Sequence, residues 1–315
     1  MSAKETFLDE SASMYSDYQL WRKPDTKHEC KPLSALGTTA TYDDFAWLNN
    51  DQTKRAKVTV LVQSFKAPQS LNHSLSSWIS AFIGRKYVAE IIFWLNARTE
   101  ADDDVILQNM RKVPGTAFRI FGNESSNAGM HYTLPFMASR SSTQAIMFLE
   151  KDWYIPRARR ASTVRGLGAA ISAVTLTGVD VALLSSPLPP HAESWPCGSK
   201  DMILSCTLSR NMPWTNNPYV ADRVWLINLF TSLQSRRNDP ILFGCHHNFS
   251  DLGYIDIEEL FHRRLLPWTH HSWIIATFLN RRHETKWGLT EDPSYPRKGL
   301  FVHRDVDGHG HSYVN

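Results

Sequence analysis

The sequence predicts a single α/β domain built on a mainly parallel central sheet flanked by helices, and three observations carry that expectation. Gln144-Ala145-Ile146-Met147-Phe148-Leu149 is apolar after its first residue and breaks off at Glu150 and Asp152, the pattern of a strand buried on both faces. Upstream, strand-like runs alternate with segments of helical periodicity from Val58 onward, which calls for parallel strands joined by right-handed crossovers. Finally, 42% hydrophobic and 21% charged residues in a chain of 315 suit a globular protein with a sizeable core.

Taken in order, residues 1–57 are polar with scattered aromatics and read as an arm packed on the domain. Val58-Thr59-Val60-Leu61-Val62 is a strand by its β-branched content, followed by the polar turn Gln63-Ser64-Phe65-Lys66-Ala67-Pro68. Leu71, Leu75, Trp78, Ile79 and Phe82 recur at helical spacing, with Ser70 as N-cap and Gly84 as stop. Glu90 to Leu95 is the second strand and Asn96 to Glu100 a loop; Asp102, Asp103 and Asp104 then sit in the first turn of a helix through Met110, where acids complement the helix dipole. Phe118 to Phe121 is a third strand, Gly122 to Gly129 a loop, and Tyr132 to Arg140 a helix leading into the apolar strand.

Beyond Trp153 the pattern is weaker. Pro156 to Ser162 is a basic loop that either neutralises phosphate or is simply solvated. Val174-Thr175-Leu176 and Val179 to Leu184 look like strands, and a helix is expected from Val220 to Leu233. Asp256-Ile257-Glu258-Glu259 opens another helix, marked by Leu260, Phe261, Leu265 and Leu266.

Composition excludes several classes. A formal net charge of +3 is too small to argue for nucleic acid. The four cysteines, Cys30, Cys197, Cys206 and Cys245, show no CxxC spacing and read as buried thiols. A zinc site from His246, His247, His270 and His271 lacks the usual ligand spacing. No apolar run approaches the ~18 residues of a membrane span, so as it stands the chain reads as cytoplasmic. The sequons at Asn72, Asn123 and Asn248 matter only for a chain that enters the secretory lumen, its anchor having been removed. The Gly-x-Ser-x-Gly elbow, the Walker loop and the dinucleotide glycine fingerprint are all missing.

In open α/β sheets, ligands lie beyond the carboxyl ends of the strands. Glu150 and Asp152 therefore stand where they can share one hard cation, Mg²⁺ or Mn²⁺, whose other ligands are phosphate oxygens and water.

The order of strand, polar turn, helix, strand, loop, helix, strand, Asn-x-Gly, helix, apolar strand and acidic triplet resembles the GT-A glycosyltransferases, in particular the family 2 type. The resemblance covers Val58 to Trp153 and returns near the C-terminus. It implies a Rossmann-like GT-A sheet and a nucleotide-sugar donor, a UDP-sugar first among the choices. Gln63, Ser64 and Phe65 are similar to the base-binding turn, and Asn96 falls where the family usually has an Asp that recognises the base. Asn127-Ala128-Gly129 is similar to the family's Asn-x-Gly, and Glu150-Lys151-Asp152 to its Asp-x-Asp. Glu150 thus departs from that triplet's first Asp, and the Ala-Arg-Asn that often follows Asn-x-Gly is missing.

The resemblance also implies a His ligand at the end of Gly299-Leu300-Phe301-Val302-His303, so that Asp152, Glu150 and His303 form the expected metal set; a mixed N/O set suits Mn²⁺ better than Mg²⁺. An inverting transfer needs a base, and Glu258, then Asp256 or Glu259, is the candidate. Trp214, Asn216, Asn217 and Tyr219 are candidate contacts for a glycan acceptor. The implied organisation is 58–153 for the nucleotide-sugar half, 154–300 for the acceptor half, and 301–315 for a tail over the metal and diphosphate. The alternatives are an inactive GT-A-like module that binds glycan or protein, and a sugar-nucleotide nucleotidyltransferase, whose Gly-rich loop after strand one is missing here.

Overall fold

The structure, a computed structural model, describes residues 57–123, 130–176, 179–184, 195–199, 202–208, 218–235, 274–278 and 300–304. The apolar runs become strands because a sheet covered on both faces hides every side chain along them. They are β1 (Val58–Phe65), β2 (Val88–Asn96), β3 (Ala117–Asn123) and β4 (Ala145–Glu150). Between them run α1 (Pro68–Ala81), α2 (Glu100–Met110) and α3 (Met130–Ser139). After β4 come the two-residue β5 (Trp153–Tyr154), a 3-10 turn at Arg157–Arg159 and α4 (Arg160–Leu176). The remainder consists of β6 (Val181–Leu183), β7 (Trp195–Ser199), β8 (Met202–Leu208), β9 (Tyr219–Asp222), α5 (Arg223–Ser235), β10 (Ile274–Phe278) and β11 (Val302–His303).

Nine strands form one sheet of order β3-β2-β1-β4-β9-β6-β10-β8-β7. β1 pairs in parallel with β2 and β4, β2 with β3, and β6 with β10, while β9 and β8 run against their neighbours. This is the mainly parallel, Rossmann-like central sheet that the sequence predicts. One face is covered by Leu71, Leu75 and Trp78 of α1, Ile106 and Met110 of α2, and Leu167, Ala170, Ile171 and Val174 of α4. The other takes Leu134 and Met137 of α3 with Leu226 and Phe230 of α5. A separate antiparallel ribbon joins β5 to β11.

Several expected boundaries move. The first helix begins at Pro68, not after Ser70: proline is preset for the first helical position, and Ser70 is buried inside the first turn. The supposed turn Gln63-Ser64-Phe65 is the end of β1, because its backbone keeps pairing with Trp94, Leu95 and Asn96 of β2. Gly122 and Asn123 likewise continue β3. Val174-Thr175-Leu176, expected as a strand, closes α4; the spacing of Leu167, Ala170, Ile171 and Val174 makes one buried helical stripe, and packing overrides the β-branched preference. The helix expected from Val220 starts at Arg223, since Tyr219 to Asp222 fill the gap between β4 and β6. Cys206, expected as a free thiol, is fully buried and disulfide-bonded.

Candidate functional site

The carboxyl ends of the four parallel strands converge on one edge. Gln63 of β1 lies in register with Trp94 and Glu150, Phe65 with Asn96, and Asn96 with Asn123. Directly beyond β1 and β2 the chain turns through Lys66 (φ 45°) and Ala97 (φ 49°). Both are left-handed non-glycine residues, a conformation that costs about 1–3 kcal/mol each and concentrates at functional sites.

Side chains at this edge are held in defined orientations. The Thr133 hydroxyl on α3 donates to Gln63 Oε1 at 2.9 Å, which leaves the Gln63 amide nitrogen to donate. The Trp94 indole N–H donates to Asn96 Oδ1 at 2.8 Å. Ser64 Oγ is buried without a hydrogen-bond partner among the described residues. Phe65 is 39% exposed at the rim, with the Lys66 ammonium 5.5 Å from its ring centre.

Asp152 sits just past the end of β4, and the backbone from Asp152 to Ile155 is pinned at three points. The Arg304 N–H donates to its carbonyl at 2.7 Å. Trp78 of α1 donates its indole N–H to the Trp153 carbonyl at 2.7 Å, and the Ile155 N–H reaches Ser77 Oγ at 3.0 Å. Pairing of β11 with β5, His303 against Trp153, brings in the distant C-terminal segment. His303 Nε2 then lies 3.1 Å from Asp152 Oδ2, and the Lys151 ammonium lies 3.1 Å from the same oxygen. Burial by itself raises the Asp152 pKa, but the His303 hydrogen bond and the charges of Lys151 and His303 outweigh it and hold the carboxyl below its ordinary range.

Asp152 is 6% exposed, and its second oxygen, Oδ1, is buried without a hydrogen-bond partner among the described residues. Leaving a carboxylate oxygen dry and unbonded is costly, and an ionised carboxylate with one unused oxygen is what a divalent cation requires. Asp152 would supply an oxygen and His303 a nitrogen, so the chemistry of the two side chains fits such an ion. They fit it as a pair: among the described residues no group of three or more His, Cys, Asp or Glu gathers. Glu150, expected as a further ligand, makes its charge felt on Tyr219, whose hydroxyl is pushed well up by burial and then by that carboxylate.

Tyr219, expected to meet an acceptor, is fully buried with its ring 5.4 Å from that of Phe148. It is a core residue and offers no face to a ligand, because β9 lies inside the sheet. The basic segment divides: Arg157 is exposed, whereas Arg159 is buried in the turn before α4. Trp214, Asn216, Asn217, Asn127, Gly129, Asp256, Glu258 and Glu259 lie outside the described residues, as do residues 1–56, the tail from Asp305 and the four histidines weighed for zinc.

The sequence marks Trp78 only as part of a buried helix stripe and does not single out Ser77, Thr133 or Arg304; nothing in the letters reveals that Thr133 faces Gln63. A further group lies on the other side of the ribbon: the rings of His73 and Tyr154 are 5.0 Å apart, and burial, then the Arg304 charge, lower the His73 pKa.

No family model matches the sequence, and no curated protein matches it. Solved structures do. The mannosyltransferase PcManGT from Pyrobaculum calidifontis, in complex with GDP-Man and Mn²⁺, is similar at 12% identity over 71% of this chain and 54% of that one, with a TM-score of 0.40. S. aureus TarS 1-349 is similar at 13% over 71% and 58%, with a TM-score of 0.46. The glucosyl-3-phosphoglycerate synthase from Mycobacterium tuberculosis, in complex with Mn²⁺, UDP and glucosyl-3-phosphoglycerate, is similar at 11% over 60% and 67%, with a TM-score of 0.36. The chain thus spans little more than half the length of the first two. At these identities and scores, the fold rests on the strand order described above.

Proposed function

We propose that this protein is a metal-dependent glycosyltransferase that moves a sugar from a nucleotide-diphosphate sugar to a hydroxyl of a glycan acceptor, with inversion. The observation that carries the reading is the buried Oδ1 of Asp152, without a hydrogen-bond partner among the described residues, beside His303 at the edge where four parallel strands end. Asp152 and His303 would hold a divalent cation, Mn²⁺ before Mg²⁺ on their mixed donor set. When bound, that ion supplies positive charge to the diphosphate as it departs.

The chain's own groups do the remainder. The Gln63 amide, oriented by Thr133, would donate to the base, and Asn96, oriented by Trp94, would contact it as well. Phe65 presents a half-open ring at the same rim for stacking. Lys151 balances the charge of Asp152 and is within reach of phosphate oxygens brought to that carboxylate. Glu258, or its neighbours Asp256 and Glu259, would accept the proton of the acceptor hydroxyl; Trp214, Asn216 and Asn217 would line the acceptor.

The test is a thermal-shift and donor-hydrolysis screen across UDP-, GDP-, TDP- and CMP-sugars with and without Mn²⁺, on the native chain and Asp152→Ala. A ligand that binds only the folded state must raise its stability, by about 2.7 kcal/mol at a hundred times its Kd. The reading holds if one nucleotide class stabilises the native chain only with metal and Asp152→Ala abolishes the shift. It is overturned if no nucleotide shifts the native chain under any metal condition.

A further inference from the structure

We propose that Asn72 is an N-glycosylation site, occupied while the chain passes through an oxidising compartment. This stands apart from the transferase reading and rests on three other observations.

The first is the sequon Asn72-His73-Ser74, which falls on α1 with Asn72 exposed. Asn72 Oδ1 accepts a 2.8 Å hydrogen bond from Asn109 Nδ2 of α2. Asn109 is itself anchored, donating to the Val105 carbonyl at 2.9 Å and accepting from Lys112 Nζ at 2.9 Å. The carbonyl side of the Asn72 amide is therefore turned to the protein and its nitrogen away from it. A glycosylated asparagine keeps its side-chain oxygen, so the bond to Asn109 survives the modification.

The second observation is Ser74. It lies on the buried face of α1, fully enclosed, and its Oγ has no hydrogen-bond partner among the described residues. Packing gives no reason for a hydroxyl there, since alanine would fill the same helix position without stranding a polar atom. A sequon does give a reason, because it needs a hydroxyl two residues after the asparagine. The third observation is the disulfide at Cys206; such bonds form and persist in oxidising compartments and are rare in the cytosol.

Burial of Ser74 also sets the timing. The hydroxyl is accessible only before α1 packs on the sheet, so the modification precedes folding. In that step Asn72 Nδ2 forms a bond to C1 of an oligosaccharide carried on a polyprenyl diphosphate. The bond from C1 to the diphosphate oxygen breaks, the lipid diphosphate leaves with the electron pair, and Nδ2 gives up one proton.

The test is peptide mapping of the full chain purified from cells in which it passes through the secretory pathway, with Ser74→Ala and Ser74→Thr alongside. The expected result is Asn72 converted to Asp by a glycan-removing amidase, and a Cys206 peptide that can be alkylated only after reduction. Ser74→Ala is expected to lose the glycan with no fall in melting temperature, and Ser74→Thr to keep it; the folded, unglycosylated chain is expected to remain unmodified when offered the glycosylating enzyme and donor. An unmodified Asn72 in the native chain overturns the proposal, as does a glycan that persists on Asn72 in Ser74→Ala, or a Cys206 that is alkylated without reduction.

Discussion

Gly122 is where the sheet at the ligand edge is least forgiving, and Gly122→Ala tests how closely β2 and β3 approach there. The residue has φ +131°, and a Cβ placed on it would lie 2.0 Å from the Leu95 carbonyl oxygen and 2.8 Å from its carbon. Carbon–oxygen contacts in sheets settle at about 3.3 Å or more, so the strands must part by roughly 1.3 Å. Backbone hydrogen bonds span only about 2.7–3.2 Å, and the local ladder opens. Stranding two buried backbone groups costs about 1–3 kcal/mol each, and the left-handed backbone adds about 1–2 kcal/mol. The expected loss is about 4 kcal/mol or more, against a total stability on the order of 5–15 kcal/mol. Gly115→Ala is the control: its φ is +92°, but nothing lies within 4 Å of the added carbon, so only the strain of about 1–2 kcal/mol applies. Urea unfolding of both variants measures the difference. Equal losses would refute the close approach of the two strands. Because Asn96 directly follows Leu95, any folded fraction of Gly122→Ala is also expected to bind donor more weakly.

Three further outcomes follow from the same geometry. Glu90 accepts from the Ser142 N–H at 2.7 Å and pairs with Arg119 at 2.7 Å; burial raises its pKa, but these bonds and that charge lower it more, leaving it below the ordinary carboxylate range. A lowered folded pKa contributes stability that is present above the unfolded value and lost as pH falls through the folded one. Glu90→Gln is therefore expected to cost about 1–3 kcal/mol at neutral pH, discounted because Arg119 is a third open to solvent, and to flatten the acid side of the stability curve; a variant with the wild-type acid limb refutes this. Trp78→Phe strands the Trp153 carbonyl and should cost about 1–3 kcal/mol by urea unfolding, with a fall in Mn²⁺ affinity by calorimetry; unchanged affinity would mean that α1 does not position Asp152. Lys151→Met removes the cation 3.1 Å from Asp152 and should tighten Mn²⁺ binding, on the order of tenfold for about 1.4 kcal/mol, while weakening that of the donor; equal shifts of both refute a role for Lys151 at the phosphates.

The first half of the fold was legible because parallel strands covered on both faces leave unbroken apolar letters, as Ile91 to Leu95 and Ala145 to Leu149 do. Their ends were not. Gln63, Ser64, Asn96, Gly122 and Asn123 are residue types that read as turn in sequence, yet a parallel ladder is satisfied by backbone alone and runs straight through them. Gln63, Ser64 and Asn96 are also the residues that the sequence offers as base contacts, so the letters that hid these strand ends are the ones read as a candidate site. In α4 the opposite conflict arose: Val174 and Thr175 favour strands locally, and burial of one helical stripe decided otherwise. Tyr219 to Asp222 were too short to show any period, and only the slot between β4 and β6 makes them a strand.

The juxtaposition of Asp152 and His303 follows from register more than from either residue. Leu300, Phe301 and Val302 are all buried, Phe301 against the ring of Phe82 at 6.4 Å, and the Leu300 N–H is fixed to the Leu184 carbonyl at 2.8 Å. That anchorage sets Val302 opposite Tyr154 and His303 opposite Trp153. A slip of one residue in such a ribbon turns every side chain to the other face, which would bring the Val302 side chain to Asp152 and send His303 toward α1. The apolar residues before His303 therefore decide which nitrogen meets the carboxylate. Arg304, next along the same ribbon, has its charge acting on His73 instead of Asp152, as alternation requires. An apolar triplet ending in histidine is thus a register signal as well as a ligand signal, and it has this meaning only because Trp78 and Ser77 hold the opposite strand in place.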